Sequence, residues 1–251
     1  MTAPLLVVEG LCKRFGALLA NDEITFEAHP RELHALIGPN GAGKTTLINQ
    51  LSGAVPSDGG RIVFDGEDIT RLDMTERSRR GVARSFQTAS LLPEYTALAN
   101  VALAVQARSG SSFRFFGRVT GEDALNAVAG AALARVGLAG RASFRAGALS
   151  HGEQRLLEIA VALACTPRLL LLDEPFAGLG PEESKACIEL IRELKQEFTI
   201  LLVEHDMDAV FSLADRVSVL VDGRILATGS PMDIRADERV RAAYLGDEEF
   251  A

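Results

Sequence analysis

The sequence has no tryptophan, two tyrosines, three cysteines, and no apolar run approaching the roughly 20 residues that a bilayer-spanning helix requires. Cys12, Cys165 and Cys187 are scattered, with no CxxC pair and no histidine cluster at metal-ligand spacing. That excludes a zinc ribbon or a disulfide framework and reads as reduced core thiols in a cytosolic protein. The first residues carry neither a basic segment nor a long apolar one, so no signal peptide is expected. An excess of positive charge is also missing. With 26 Lys and Arg against 34 Asp and Glu, the net charge of −8 argues against nucleic acid as the partner. A membrane role would have to pass through another protein.

What is present suits a globular α/β chain. The 251 residues are 47% hydrophobic and 24% charged, enough for one large domain or a core with a smaller lobe. β-type runs at Leu5–Glu9, Ile24–Ala28 and Leu33–Ile37 open the chain, followed by a helical stretch after Lys44 and runs around Arg61–Asp65 and Ala83–Phe86. Residues Ala97–Gly137 are rich in alanine and leucine and predict helices, interrupted by a loop at Ser109–Ser112. The second half alternates: helix Gly152–Ala164, strand Leu169–Leu172, helix Pro181–Glu197, strand Thr199–Val203, two further strands at Val217–Val221 and Arg224–Ala227, and a helical tail. Strands alternating with helices predict a mostly parallel sheet covered on both faces.

The segment Gly38-Pro39-Asn40-Gly41-Ala42-Gly43-Lys44-Thr45-Thr46 fits the phosphate-binding P-loop pattern, and it follows a predicted strand and opens a predicted helix. Its glycines let backbone N–H groups turn inward around phosphate oxygens, where the helix N-terminus adds its positive dipole end. Lys44 would meet the β- and γ-phosphates, and the Thr45 hydroxyl suits Mg²⁺. The competing reading is a chance glycine-rich turn before a helix. Further on, the apolar run Leu169–Leu172 ends in Asp173 and Glu174, where a buried parallel strand would emerge. Asp173 can hold Mg²⁺ and Glu174 can polarise an attacking water; a solvated acidic strand end is the plain alternative.

Leu149-Ser150-His151-Gly152-Glu153-Gln154 precedes that strand and resembles the signature motif of ATP-binding cassette (ABC) ATPases, with His151 and Glu153 as departures. Read alone, Ser150 with Glu153 three residues on is a helix capping box. The resemblance spans nearly the whole chain. It implies an ABC ATPase fold: a nucleotide-binding core of about residues 1–87 and 166–251 with an N-terminal antiparallel β subdomain, and an inserted helical lobe of about 88–165 carrying the signature. It implies that Phe15 stacks on the adenine of ATP, that Gln87 touches Mg²⁺ or the water, and that His205 contacts the γ-phosphate. Ser150 and Gly152 would act on the ATP of a second subunit. Ala177-Gly178-Leu179-Gly180 lacks the aspartate usual in the loop it matches.

The segments Arg14-Phe15-Gly16-Ala17-Leu18, Arg84-Ser85-Phe86-Gln87, Glu204-His205-Asp206-Met207 and Val240–Gly246 narrow the resemblance to the ATPases of branched-chain (hydrophobic) amino acid importers. The urea or amide importers share much of this pattern. The implied partners are a second ATPase subunit, two transmembrane permease subunits and, indirectly, a solute-binding protein, at the cytoplasmic face of the plasma membrane. A soluble ABC ATPase of repair or translation would carry a coiled-coil insertion or two cassettes, and an ATP-sensing module would lose Glu174 or His205. The cluster Phe113, Phe115 and Phe116 suits either a partner surface or packing inside the lobe.

Overall fold

The computed structural model describes residues 3–85, 91–108 and 122–244. Gln87, the loop at Ser109–Ser112, the Phe113, Phe115 and Phe116 cluster and the tail beyond Tyr244 lie outside the described residues.

The chain opens with a hairpin, β1 (Leu6–Phe15) and β2 (Leu18–Ala28), then β3 (Leu33–Ile37), the glycine-rich loop and α1 (Lys44–Ser52). Two short strands, β4 (Gly59–Phe64) and β5 (Glu67–Asp68), return to the hairpin and complete an antiparallel sheet of order β2-β1-β4-β5. Then α2 (Met74–Arg80) leads into β6 (Val82–Arg84), and α3 (Ala97–Arg108), α4 (Glu122–Arg135) and α5 (His151–Ala164) pack on one another. The remainder alternates through β7 (Leu169–Asp173), α6 (Pro181–Leu194), β8 (Thr199–Val203), α7 (Met207–Leu213), β9 (Arg216–Val221) and β10 (Arg224–Gly229), and closes with α8 (Pro231–Ala236) and α9 (Glu238–Tyr244). The second sheet runs β10-β9-β3-β8-β7-β6, parallel except for the β9–β10 hairpin.

The parallel strands are buried on both faces, as their unbroken apolar runs require. Side chains alternate across a strand, so Leu170 and Leu172 join a core shared with the helices α3 to α6. Leu169 and Leu171 join a second core formed with α1 and the antiparallel sheet. Most polar groups in this interior find partners, His34 among them. His34 of β3 is fully buried; its Nε2 lies 2.8 Å from Ser218 Oγ of β9, which lies 2.7 Å from Thr228 Oγ1 of β10. Burial lowers the His34 pKa to about 4.

Several elements depart from the sequence-based expectation. The opening strands are 10 and 11 residues long, each extending beyond its apolar run, because cross-strand pairing carries the polar turn residues with it. Two helices were not expected. The first, α2, holds few apolar residues, but Asp73 and Glu76 form a reciprocal capping box at its start. Its Arg77 is buried and donates to the carbonyls of Leu72, Thr70, Gln50 and Leu51, the last two at the C-terminal end of α1. The other, α7, is started by Asp206, whose side chain accepts the Ala209 N–H at 3.0 Å. Conversely, α6 stops at Leu194 rather than Glu197.

Candidate nucleotide site

Parallel pairing sets the frame of the site. Leu36 of β3 is level with Val203 of β8, and Val203 with Asp173 of β7. The glycine-rich loop, Glu174 and the Glu204–His205 pair therefore leave the same edge of the sheet, side by side, at the carboxyl ends where such sheets bind ligands.

The loop is clamped from behind. The Gly223 N–H donates to Ala42 O at 3.0 Å, and Asn21 Nδ2 donates to Gly43 O at 3.2 Å. Gly43 has φ 105°, and a Cβ there would collide with the Ala20 carbonyl oxygen and lie 2.7 Å from Asn21 Nδ2, so only glycine fits. Gly38 is constrained by contact: a Cβ would overlap the Leu220 carbonyl.

The start of α1 differs from those of α2, α5 and α8. Helices α2, α5 and α8 begin with side-chain capping boxes. By contrast, α1 begins at Gly43 with no side-chain cap and no acidic residue in its first turn. The first backbone bond into the helix is Leu47 N–H to Gly43 O, at 2.9 Å. The amides of Lys44, Thr45 and Thr46 precede it, as donors at the positive end of the helix dipole that an anion can take up. Lys44 Nζ donates to the Gly38 carbonyl and to Pro39 O (3.0 Å), which holds its charge at the mouth of the loop. Burial lowers the Lys44 pKa, against the opposing fields of Glu174, Asp173 and Glu204.

A cleft of about 460 Å³ opens over this loop, lined by Asn40 to Thr46, Glu174, Asp222 and, at its far end, Phe15 and Leu18. Phe15 is 49% exposed at the hairpin turn and is not a core residue. Lys13 Nζ sits 5.3 Å from its ring centroid and is paired with Asp58 at 2.9 Å, which fixes one side of the ring.

Asp173 is buried, and burial raises its pKa against the neighbouring charge of Arg84. Its Oδ2 accepts from Arg84 at 2.9 Å, and Arg84 also donates to Asn49 Oδ1 of α1 at 2.5 Å. Its Oδ1 has no hydrogen-bond partner. A buried acceptor left open beside a phosphate-binding loop fits a divalent cation or its bound water. Glu174, one residue on, has φ 49°, a strained conformation for a non-glycine residue. His205 is exposed, with Nδ1 3.6 Å from Glu204 Oε2.

Ser150 and Gly152 do not line this cleft. They begin α5, where Ser150 Oγ accepts the Glu153 N–H (3.2 Å) and Glu153 Oε2 accepts the Ser150 N–H (2.9 Å). Ser150 is exposed, whereas Gly152 is covered by Glu183 of α6, whose Oε1 would lie 2.5 Å from a Cβ at that position. Sequence reasoning gave no role to Arg84, Asn21 or Glu204. Each has a partner distant in the chain (Asp173 for Arg84, Gly43 for Asn21, Phe176 for Glu204), which no local pattern shows.

A glycine-rich loop at the end of a central parallel strand, an uncapped helix start, and an acidic pair on a neighbouring strand end define a P-loop nucleotide-binding cassette. The comparisons with known proteins then place it. The family model described as "ABC transporter" matches residues 21–177, and the one described as "Branched-chain amino acid ATP-binding cassette transporter" matches residues 224–249. The chain belongs to the ABC transporter family and is an ATPase of that family. It is 42% identical to the high-affinity branched-chain amino acid transport ATP-binding protein LivG of Escherichia coli (strain K12), over 98% of this chain and 100% of that protein. It is 41% identical to the high-affinity branched-chain amino acid transport ATP-binding protein BraF of Pseudomonas aeruginosa, over 98% of this chain and 100% of that protein. Among solved structures, MJ1267, an ATP-binding cassette of an ABC transporter, superposes with a TM-score of 0.86 at 32% identity, over 97% of this chain and 99% of that one. No helix of the described residues is long and apolar enough to cross a membrane.

Proposed function

We propose that this chain is the ATP-hydrolysing subunit of an importer for branched-chain or other hydrophobic amino acids. It would be held peripherally at the cytoplasmic face of the plasma membrane by two permease subunits supplied through a solute-binding protein. The reading rests on the match of residues 224–249 together with similarity to LivG and BraF over almost all of the chain.

In this reading Phe15 stacks on adenine, and the loop from Gly38 to Thr46 wraps the phosphates with its amides and the Lys44 charge. Thr45, Asp173 and Gln87 would hold Mg²⁺, which would supply neutralising charge on the phosphate oxygens. Glu174 takes a proton from the attacking water, and His205 meets the charge that develops on the γ-phosphate. Ser150 and Gly152 serve the ATP of a second subunit, so the two chains close head to tail. Residues of about 88–165 form the lobe that moves, and the remainder forms the nucleotide-binding core. The uncapped start of α1, beside the open Asp173 Oδ1, is the observation within the chain that carries the chemistry.

The Glu174→Gln variant tests it. Hydrolysis should fall by about two to four orders of magnitude, while ATP affinity is kept and an ATP-bound dimer accumulates on size-exclusion chromatography. Turnover at the wild-type rate would remove Glu174 from the role of base.

A further inference from the structure

Glu204 is fully buried, and no lysine or arginine pairs with it among the described residues. Both of its carboxylate oxygens are spent on backbone. Oε1 accepts the Phe176 N–H at 2.9 Å, and Oε2 accepts the His205 N–H at 3.0 Å, with the Asp206 N–H at 3.5 Å. Phe176 belongs to the turn that carries Glu174, and this turn is the strained one. The Glu174 N–H donates to Val203 O at 2.8 Å and its carbonyl accepts from Ala177 N at 3.2 Å, so the turn is held at both ends. His205 Nδ1, 3.6 Å from Oε2, is the basic group beside it. Burying a carboxylate without a lysine or arginine is costly, and such groups survive where their hydrogen bonds fix something else in place.

We propose that Glu204 is a positioning residue for ATP hydrolysis. A single carboxylate ties the Glu174 turn to the His205 segment, so that the general base and the γ-phosphate contact are held in one register. The inference rests on the roles proposed above for Glu174 and His205. Glu204 does not line the nucleotide cleft and makes none of the Lys44 hydrogen bonds in the glycine-rich loop; it reaches Lys44 only through its charge. Loss of the tie should therefore act on turnover, and Glu204→Asp, which keeps the charge, should leave nucleotide binding unchanged.

The test uses the full chain with Glu204→Gln, which keeps the shape but cannot accept through both ends, and with Glu204→Asp, which keeps the charge and shortens the reach. Expected for Glu204→Gln is a fall in kcat of about ten- to a hundredfold, with the KM for ATP and the Kd for ADP within about twofold of wild type. Amide exchange should quicken in peptides covering residues 174–177 and 204–206 and stay unchanged in the glycine-rich loop. The same substitution in a His205→Ala background should cost much less than in wild type. Glu204→Asp should fall between the two, and it replaces Glu204→Gln in every measurement if that variant does not fold.

A full, multiplicative loss in the His205→Ala background, unaltered exchange at Phe176 and His205, or an equal loss of nucleotide affinity would each overturn the inference. If His205→Ala alone turns over like wild type, the proposed role of His205 fails instead. The tie is then judged on amide exchange, where unchanged rates overturn it.

Discussion

At the residue scale, the two ends of the nucleotide cleft make separable demands. Phe15 is half-exposed and its ring is steadied by Lys13, so replacing it with alanine should leave the fold intact and weaken ATP binding by about 1–3 kcal/mol, the usual worth of base stacking. Isothermal titration with ATP checks this; unchanged affinity would take the ring out of the site. His34 illustrates the opposite case, a buried group with no part in the chemistry. Its pKa falls from 6.5 to about 4 on folding, so between those values the unfolded chain binds a proton that the native chain refuses. The stability it contributes is whole above pH 6.5 and is lost as pH falls toward 4, an effect of about 3 kcal/mol. Urea denaturation from pH 4 to 7 should show this slope in the wild type and a shallower one in His34→Gln. The motif residues of the site were legible because a P-loop is a local pattern, with every necessary group inside one turn. The role of Glu204 was not, because one end of what it holds lies 28 residues earlier at Phe176. Arg84 likewise meets Asp173 across 89 residues.

At the scale of elements, α1 is stabilised asymmetrically. Its start is left open for anions, and its end is closed by Arg77, which reaches Gln50 O and Leu51 O. Replacing Arg77 with leucine removes the guanidinium donor from the Leu51, Thr70 and Leu72 carbonyls and leaves Gln50 O with the Gly53 N–H alone, at a cost of about 1–3 kcal/mol for such orphaned groups. Chemical denaturation should register that loss, together with weaker nucleotide binding if the helix shifts in its seat. A stability equal to wild type would show that water replaces the guanidinium. Both α2 and α7 escaped the sequence reading because seven residues are too few to display a helical period. Their caps, Asp73 with Glu76 and Asp206, were the available signals. The parallel strands were legible because burial on both faces leaves only apolar residues to choose from.

At the scale of the whole molecule, Ser150 and the glycine-rich loop sit apart in one chain, and Ser150 is exposed at the start of α5. If each site takes its loop from one subunit and its signature from the other, Lys44→Ala and Ser150→Arg homodimers should both be inactive. A mixture forms dimers in which one site carries both defects and the other carries none, so part of the activity should return. An inactive mixture, shown by mass spectrometry to contain mixed dimers, argues against shared sites if a wild-type subunit paired with a defective one still turns over.

The strand order has a consequence for how the protein is made. β3, which carries the loop, lies between β8 and β9, so both of its neighbours are synthesised more than 160 residues after it (Thr199 − Ile37 = 162). During translation the phosphate loop therefore emerges early and stays without its flanking strands until the last quarter of the chain has left the ribosome. Contacts of such long separation form slowly, and an unpaired apolar strand is prone to aggregate while it waits. Nucleotide affinity is in this way a late event in the chain's biogenesis: a nascent or truncated fragment carries the motif without the pocket, and only a nearly finished polypeptide can compete for ATP.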